Sequence, residues 1–278
     1  MARSIARSAV TPAVTLALAL LMGAPLPLFA QAARADLAKA RTLYNQKQFD
    51  EAIVAATQAR RQPDVADMAA IVLARAHLER YRERSDPSDL SAAREALSAV
   101  RATTLDVRDQ TELILALGQS LFLEDEFGAA AEMLESGLER ATTADPALAE
   151  AMMEWWGSSI ERLAGTLSRD PRHVLFRRLF AGASDELARH PTSAAAIYWS
   201  AAALRGAGDL ERAWDAAVAG WVRSRLLGER STALRADLDR LVLEGIVPDR
   251  VRHLVSEQQA GAESQLKADW ELVKEKWK

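Results

Sequence analysis

The sequence predicts an all-α protein: about five antiparallel helix hairpins stacked into a solenoid and closed by a helical C-terminal cap. Three observations lead there. Of 278 residues 56 are alanine and 7 isoleucine, with 13 glycines and 9 prolines, a balance that favours helices over short strands. One spacing of small and apolar residues recurs three times in register. Behind it come two helical stretches with one apolar face each, as a terminal lid on a stack requires. Composition also excludes whole classes of function. The formal charge of -4 becomes more negative once Arg3 and Arg7 leave with a leader, which argues against nucleic acid as a partner. Without cysteine there are no disulfides, thiolate metal sites, cysteine nucleophiles or lipobox attachment.

Residues 1–35 read as a signal peptide. Arg3 and Arg7 stand without an acid, residues 16–22 are apolar, and Gly23, Pro25 and Pro27 follow. Peptidase sites are available after Ala30 and in Ala30-Gln31-Ala32 and Ala33-Arg34-Ala35. Residues 13–30 could serve instead as an uncleaved anchor, but two prolines break their second half. The expectation is a periplasmic or secreted protein with no integral membrane span once the leader is removed.

The repeat occupies residues 36–256. It reads Ala40, Leu43, Phe49, Ala52, Ala56, Ala59; then Gly118, Leu121, Phe127, Ala130, Leu134, Gly137; then Ala201, Leu204, Leu210, Ala213, Ala217, Gly220. Steps of three and four keep residues on one helical stripe, and the step of six crosses a turn, so each unit is a helical hairpin. The turns are Gln46-Lys47-Gln48, Glu124-Asp125-Glu126 and Gly206-Ala207-Gly208-Asp209. Each interval holds one diverged unit. The first is Ala74 and His77, then Leu90, Ala93, Leu97 and Val100, with a turn seven residues longer around Arg84 to Asp89. The second is Gly157 and Ile160, then Phe180, Ala183, Leu187 and His190, with a linker about fourteen residues over length through Ser168 to Pro171. Asp145-Pro146 starts a helix that runs to about Leu167, Glu244-Gly245 ends one from about Thr232, and Pro248-Asp249 starts another.

Leu117-Gly118-x-x-Leu121-Phe122 with Phe127-x-x-Ala130, and Tyr44 with Phe49-Asp50-Glu51-Ala52, resemble the tetratricopeptide repeat. The resemblance implies a right-handed superhelix whose concave groove docks a peptide or protein, here another component of the cell envelope. It implies no catalysis and no cofactor. The stripe turned toward that groove carries Arg41, Tyr44 and Asn45; Arg75 and Glu79; Gln119 and Phe122; Ser158, Glu161 and Arg162; and Tyr198 and Arg205. Arg41 and Arg75, equivalent in consecutive units, could hold a carboxylate, although with 29 arginines against 6 lysines such recurrences arise from composition alone.

Catalytic and metal chemistry finds no foothold. His77, His173, His190 and His253 form no metal-spaced pair, and His77 and His190 suit packing or capping. Gly206-Ala207-Gly208 lacks the lysine and hydroxyl of a phosphate loop, and Glu124-Asp125-Glu126 points three ways around a turn. Trp155, Trp156, Trp199, Trp214 and Trp221 cluster in the last two units, as core filler or as an aromatic-lined pocket. A deep pocket near Trp155, Trp199 and Trp214 would favour the alternative function, a small-ligand component of a periplasmic transport system resembling the T subunit of TRAP transporters.

Residues 257–278 form an amphipathic tail helix behind a junction at Gln258-Gln259-Ala260-Gly261. Leu266, Trp270, Val273 and Trp277 make one apolar stripe among charges. The stripe could dock on the solenoid's own last hairpin, on a partner, or on a second copy in a homo-oligomer; Asp269, Glu271 and Glu275 make a membrane surface the poorest fit.

Overall fold

A computed structural model describes residues 26–278. The charged start and the apolar run 16–22 of the expected leader lie outside the described residues. Within them the protein is helical, with no strand. The first ten helices fall into five pairs: α1 (Leu26–Asn45) with α2 (Phe49–Ala59), α3 (Ala66–Arg84) with α4 (Pro87–Ser98), α5 (Val107–Leu123) with α6 (Phe127–Ala144), α7 (Pro146–Gly165) with α8 (Arg169–Arg189), and α9 (Ala194–Gly206) with α10 (Leu210–Arg223). Each helix packs on the next, and α1, α3, α5, α7 and α9 also pack each on the following odd-numbered helix. No described helix is long and apolar enough to cross a membrane.

The small positions of the repeat are where helices press together. Ala40, Ala52, Ala56, Ala74, Ala130, Ala201, Ala213 and Ala217 are completely buried. At Gly157 a Cβ would lie 2.2 Å from the Trp199 indole, so only glycine admits that ring. The core forms two large clusters, one from α1 to α5 and one from α5 to the C-terminus. Helix α5 spans both, with Leu113 and Ala116 in the first and Leu115 in the second.

The three in-register turns share one backbone solution. Lys47, Asp125 and Gly208 occupy equivalent places, two residues before Phe49, Phe127 and Leu210, and all have positive φ (59°, 61° and 82°). In each turn this residue's N–H donates three residues back, to Tyr44, Phe122 or Arg205, and the next N–H donates five back, to Leu43, Leu121 or Leu204. That is a Schellman end, which satisfies carbonyls the helix would leave bare.

The two diverged units differ from the expected long turns. The extra residues extend helices: α3 runs on to Arg84 and α4 starts at Pro87, leaving only Ser85 and Asp86 between them, and α8 begins at Arg169, leaving only residues 166–168 after α7. Asp86 accepts the N–H of Ser88, and Pro87 occupies the first turn, where a missing N–H costs nothing.

After α10, a 3₁₀ stretch (Ser224–Arg230) leads to α11 (Ser231–Arg240), then a π-helical segment (Leu241–Ile246) and α12 (Val247–Arg252). Glu244-Gly245 therefore does not end a helix. Pro248 lacks an N–H to give to the preceding turn, and the chain passes this gap by widening into π geometry rather than stopping. The break instead falls at residues 253–255, before α13 (Ser256–Lys276), and the expected junction at 258–261 is helical.

Helix α13 folds back onto its own chain. Trp270 is completely buried, edge-on to Trp221 (5.4 Å between centroids) and Trp214 (5.9 Å), and its indole N–H donates to Asp239 Oδ1 at 2.8 Å. Lys274 donates to the same oxygen at 2.8 Å, and Arg235 donates to the Trp277 carbonyl at 3.1 Å. Leu266, Val273 and Trp277 pack half-buried on the same core. The stripe thus packs within the molecule, and its central tryptophan is wholly covered there.

Candidate functional site

The odd-numbered helices carry two adjoining cavities. The smaller, about 240 Å3, is lined by Arg41, Tyr44 and Asn45 of α1, Val72 and Arg75 of α3, Arg108 and Glu112 of α5, and the start of α7. The larger, about 640 Å3, is lined by α7 from Ala147 to Glu161, by Tyr198 and Trp199 of α9, and by α11 with the arginine before it. Ala147 and Ala151 border both, so the two adjoin along α7.

The smaller cavity gathers Arg41, Tyr44, Asn45 and Arg75, four residues of the expected stripe. Its two repeat arginines are not equivalent. Arg41 donates to Asp109 Oδ1 at 2.7 Å and reaches Glu112 at 3.4 Å, so its charge is spent within the protein. Burial lifts the Asp109 carboxyl above the ordinary aspartate range, and Arg41 opposes the rise. Arg75 makes no ion pair among the described residues. Its guanidinium lies 4.7 Å above the Tyr44 ring, and its Nε is buried without an acceptor. Burial raises the Tyr44 hydroxyl's pKa against the pull of Arg75. Asp145 caps α7 through the Ala147 N–H; burial would raise it, but that bond and Arg108 hold it below its usual value. Among the described residues, the unpaired positive charge of the cavity is therefore that of Arg75.

The larger cavity is acidic. Glu150 accepts from the Ser193 hydroxyl (2.7 Å) and the Ala195 N–H (2.8 Å). Among the described residues Glu154 accepts only the Trp199 indole N–H, at 3.2 Å. Although its carboxyl reaches solvent, Glu154 sits in a concave wall crowded by protein. This desolvation raises its pKa, the Trp199 bond opposes, and Asp237, Glu150 and Glu161 push it up further. Glu161 is also raised by desolvation, with Arg205 and Arg162 opposing. Burial and the same carboxylates push the Tyr198 hydroxyl up to about 12. Across the cavity Arg230 and Arg240 supply the positive charge.

The rest of the stripe goes elsewhere. Ser158, Glu161 and Tyr198 line the larger cavity. Gln119 is only 2% exposed, with its Oε1 unpartnered. Phe122 is drawn into an aromatic cluster with Phe127 and Trp155, and Arg162 lies over Phe127. Arg205 is pulled away by Asp249 (2.6 Å), passing so close over Gly245 that a Cβ there would lie 2.8 Å from the guanidinium carbon. Glu79 pairs with Arg82. Nor do three tryptophans share one pocket: Trp199 lines the larger cavity, Trp155 packs on Phe122, and Trp214 packs on Trp270. His77 bonds Asp89 (2.7 Å) and His190 bonds Glu186 (2.9 Å), both as local packing contacts.

Sequence reasoning missed Arg108, Glu112, Glu150, Glu154 and Asp237. For the first four the signal was present: steps of three and four backward from Gln119 reach Glu112 and Arg108, and from Ser158 they reach Glu154 and Glu150. The stripe was followed only in the direction of the turn. Comparison of the chain with protein-family models, with curated proteins and with solved structures gives no match.

Proposed function

We propose that the chain is an exported, tetratricopeptide-like helical solenoid that works as a scaffold or adaptor in the cell envelope, holding an extended segment of a partner protein along the groove of its odd-numbered helices. Continuity carries this reading. Between them the two cavities are lined by α1, α3, α5, α7, α9 and α11 or the residues just before them, and they share Ala147 and Ala151. A surface built from successive hairpins suits an extended peptide better than a compact substrate. Arg75 is the anchor for a carboxylate on the partner, while Arg41, already paired, positions the wall. Export fits the packing of α1 if the leader is cut after Ala30, since Ala33 (2% exposed) and Leu37 (5%) belong to the first core cluster and would be kept.

A second reading, a small-ligand component of a periplasmic transport system, is favoured by the size of the larger cavity, about 640 Å3, and its Tyr198–Trp199 wall. One experiment separates them: tagged protein starting at Gln31 is used to pull partners from its own envelope extract, beside the variants Arg75→Glu and Glu154→Lys. Capture of one protein that both variants lose supports the scaffold. Capture indifferent to both defeats the groove. A small organic molecule released from the purified protein, with no protein captured, supports the second reading.

A further inference from the structure

Away from the groove, three segments distant in sequence bring positive charge together. The start of α8 (Arg169, Arg172, His173), the α9–α10 turn with Arg205, and the end of α12 (Arg252, His253) line a shared cavity of about 480 Å3. Four arginines face one carboxylate there, Asp249, in a chain whose overall charge is -4. Asp249 is already held by Arg205 at 2.6 Å and by Arg252. Arg169 and Arg172 are exposed and engage no carboxylate among the described residues; Asp170 between them does not line the cavity. The two are one helical turn apart on one face of α8, so both guanidinium groups can reach a single ligand. That helix is 21 residues long and Ser168 at its N-cap makes no side-chain capping bond; with Pro171 lacking an N–H and the Arg172 N–H given to the Ser168 carbonyl, the amides of Arg169 and Asp170 are the ones left to an anion.

We propose that this cavity binds a phosphate group. A phosphate offers several acceptor oxygens and up to two negative charges, which matches forked guanidinium donors far better than a lone carboxylate does. The arginines carry the binding. The Gly206-Ala207-Gly208 backbone beside them is a Schellman turn, its amides at Ala207 and Gly208 already given to Ala203 and Arg205. Exposed Val174 (57%) and Val255 (65%) lie close in sequence to the cavity's two histidines, so the phosphate could belong to a soluble ester or to a lipid headgroup.

Inorganic phosphate titrated into the full chain, followed by the backbone amide signals of Arg169, Asp170, Arg172 and His173, tests the site; flotation with phosphatidylglycerol vesicles tests the lipid source. Saturable shifts at these amides are expected, with affinity reduced roughly tenfold or more in Arg169→Gln/Arg172→Gln. The control Arg61→Gln/Arg140→Gln, which removes equal charge from exposed arginines elsewhere, should bind as the parent does. Neither pair holds a folding contact, so melting temperatures should be unchanged. Phosphate shifts without vesicle binding identify a soluble ligand. Vesicle binding lost in the first variant and kept in the control identifies a headgroup. Absence of both, or binding equal in the two double variants, overturns the proposal. These results are independent of whether the groove captures a protein.

Discussion

Replacing Trp270 by alanine should undock the C-terminal helix, and the loss can be worked from its surroundings. A fully buried tryptophan removes roughly 200 Å2 from water, about 5 kcal/mol at 25 cal per Å2. A compact denatured state already hides part of that surface, which brings the figure to about 3–4.5 kcal/mol. The hydrogen bond to Asp239 adds little, because Lys274 still donates to the same oxygen at 2.8 Å. In a chain of this size each kcal/mol moves the melting temperature by about 2–4 °C, so Trp270→Ala should melt roughly 6–18 °C lower. Trp270→Phe keeps ring contacts with Trp214 and Trp221 and loses the indole donor, for about 1–2 kcal/mol. If docking is a local equilibrium, amide exchange across α13 will accelerate before the global melt moves. The assay is therefore calorimetry of the three proteins with hydrogen exchange of residues 256–276. A melting temperature within about 2 °C of the parent together with unchanged α13 protection would refute the reasoning.

Other expectations follow from single features. Lys47→Gly and Asp125→Gly relieve side chains held at positive φ (59° and 61°), and each should gain about 0.5–1 kcal/mol after the added entropy of the unfolded chain, whereas Gly208→Ala should lose about 1–2 kcal/mol; equal effects of all three in denaturant melts would contradict the shared turn. Glu154→Gln/Glu161→Gln should raise the melting temperature at pH 8 and leave it unchanged at pH 4. The folded pKa values are raised, so the folded state binds more protons than the unfolded one between the ordinary glutamate range and those values, and stability falls as pH rises through that window. A gain that persists at pH 4 would point to some other cause. Exported protein sequenced from its N-terminus should begin at Gln31; a start at Asp36 would remove Ala33 from a core it helps fill.

The repeat was legible because close packing of helices constrains composition. A crossing that leaves no room admits only alanine or glycine, so Ala40, Ala74, Gly118, Gly157 and Ala201 mark the register directly, and each is buried. Helix length was not legible in the same way. Nothing between Leu78 and Arg84 breaks a helix, and nothing after Pro171 in α8 does, so inserted residues propagate helix as readily as loop. Asp86-Pro87 marks where a helix starts, and it is silent on how far the preceding one has come. At Pro248 the rule misled because the proline's missing bond was absorbed by a π-turn inside a longer helix.

Sites follow the same division between what one stripe carries and what several segments must assemble. Arg41 and Arg75 were identifiable by position, but their difference was not: Arg41 is neutralised by Asp109 and Glu112, which lie 68 and 71 residues further along, while Arg75 forms no ion pair among the described residues. Net charge misleads for the same reason. A total of -4 argues against an anion-binding surface only if the charges are spread evenly, and here Arg169, Arg172, Arg205 and Arg252 meet from three separate segments around one carboxylate. Acidic residues gather elsewhere, in the larger cavity, where desolvation raises the carboxyls of Glu154 and Glu161. Opposite charges kept apart in one fold cost stability that pairing would have recovered, and ligands of opposite sign at the two places would recover it.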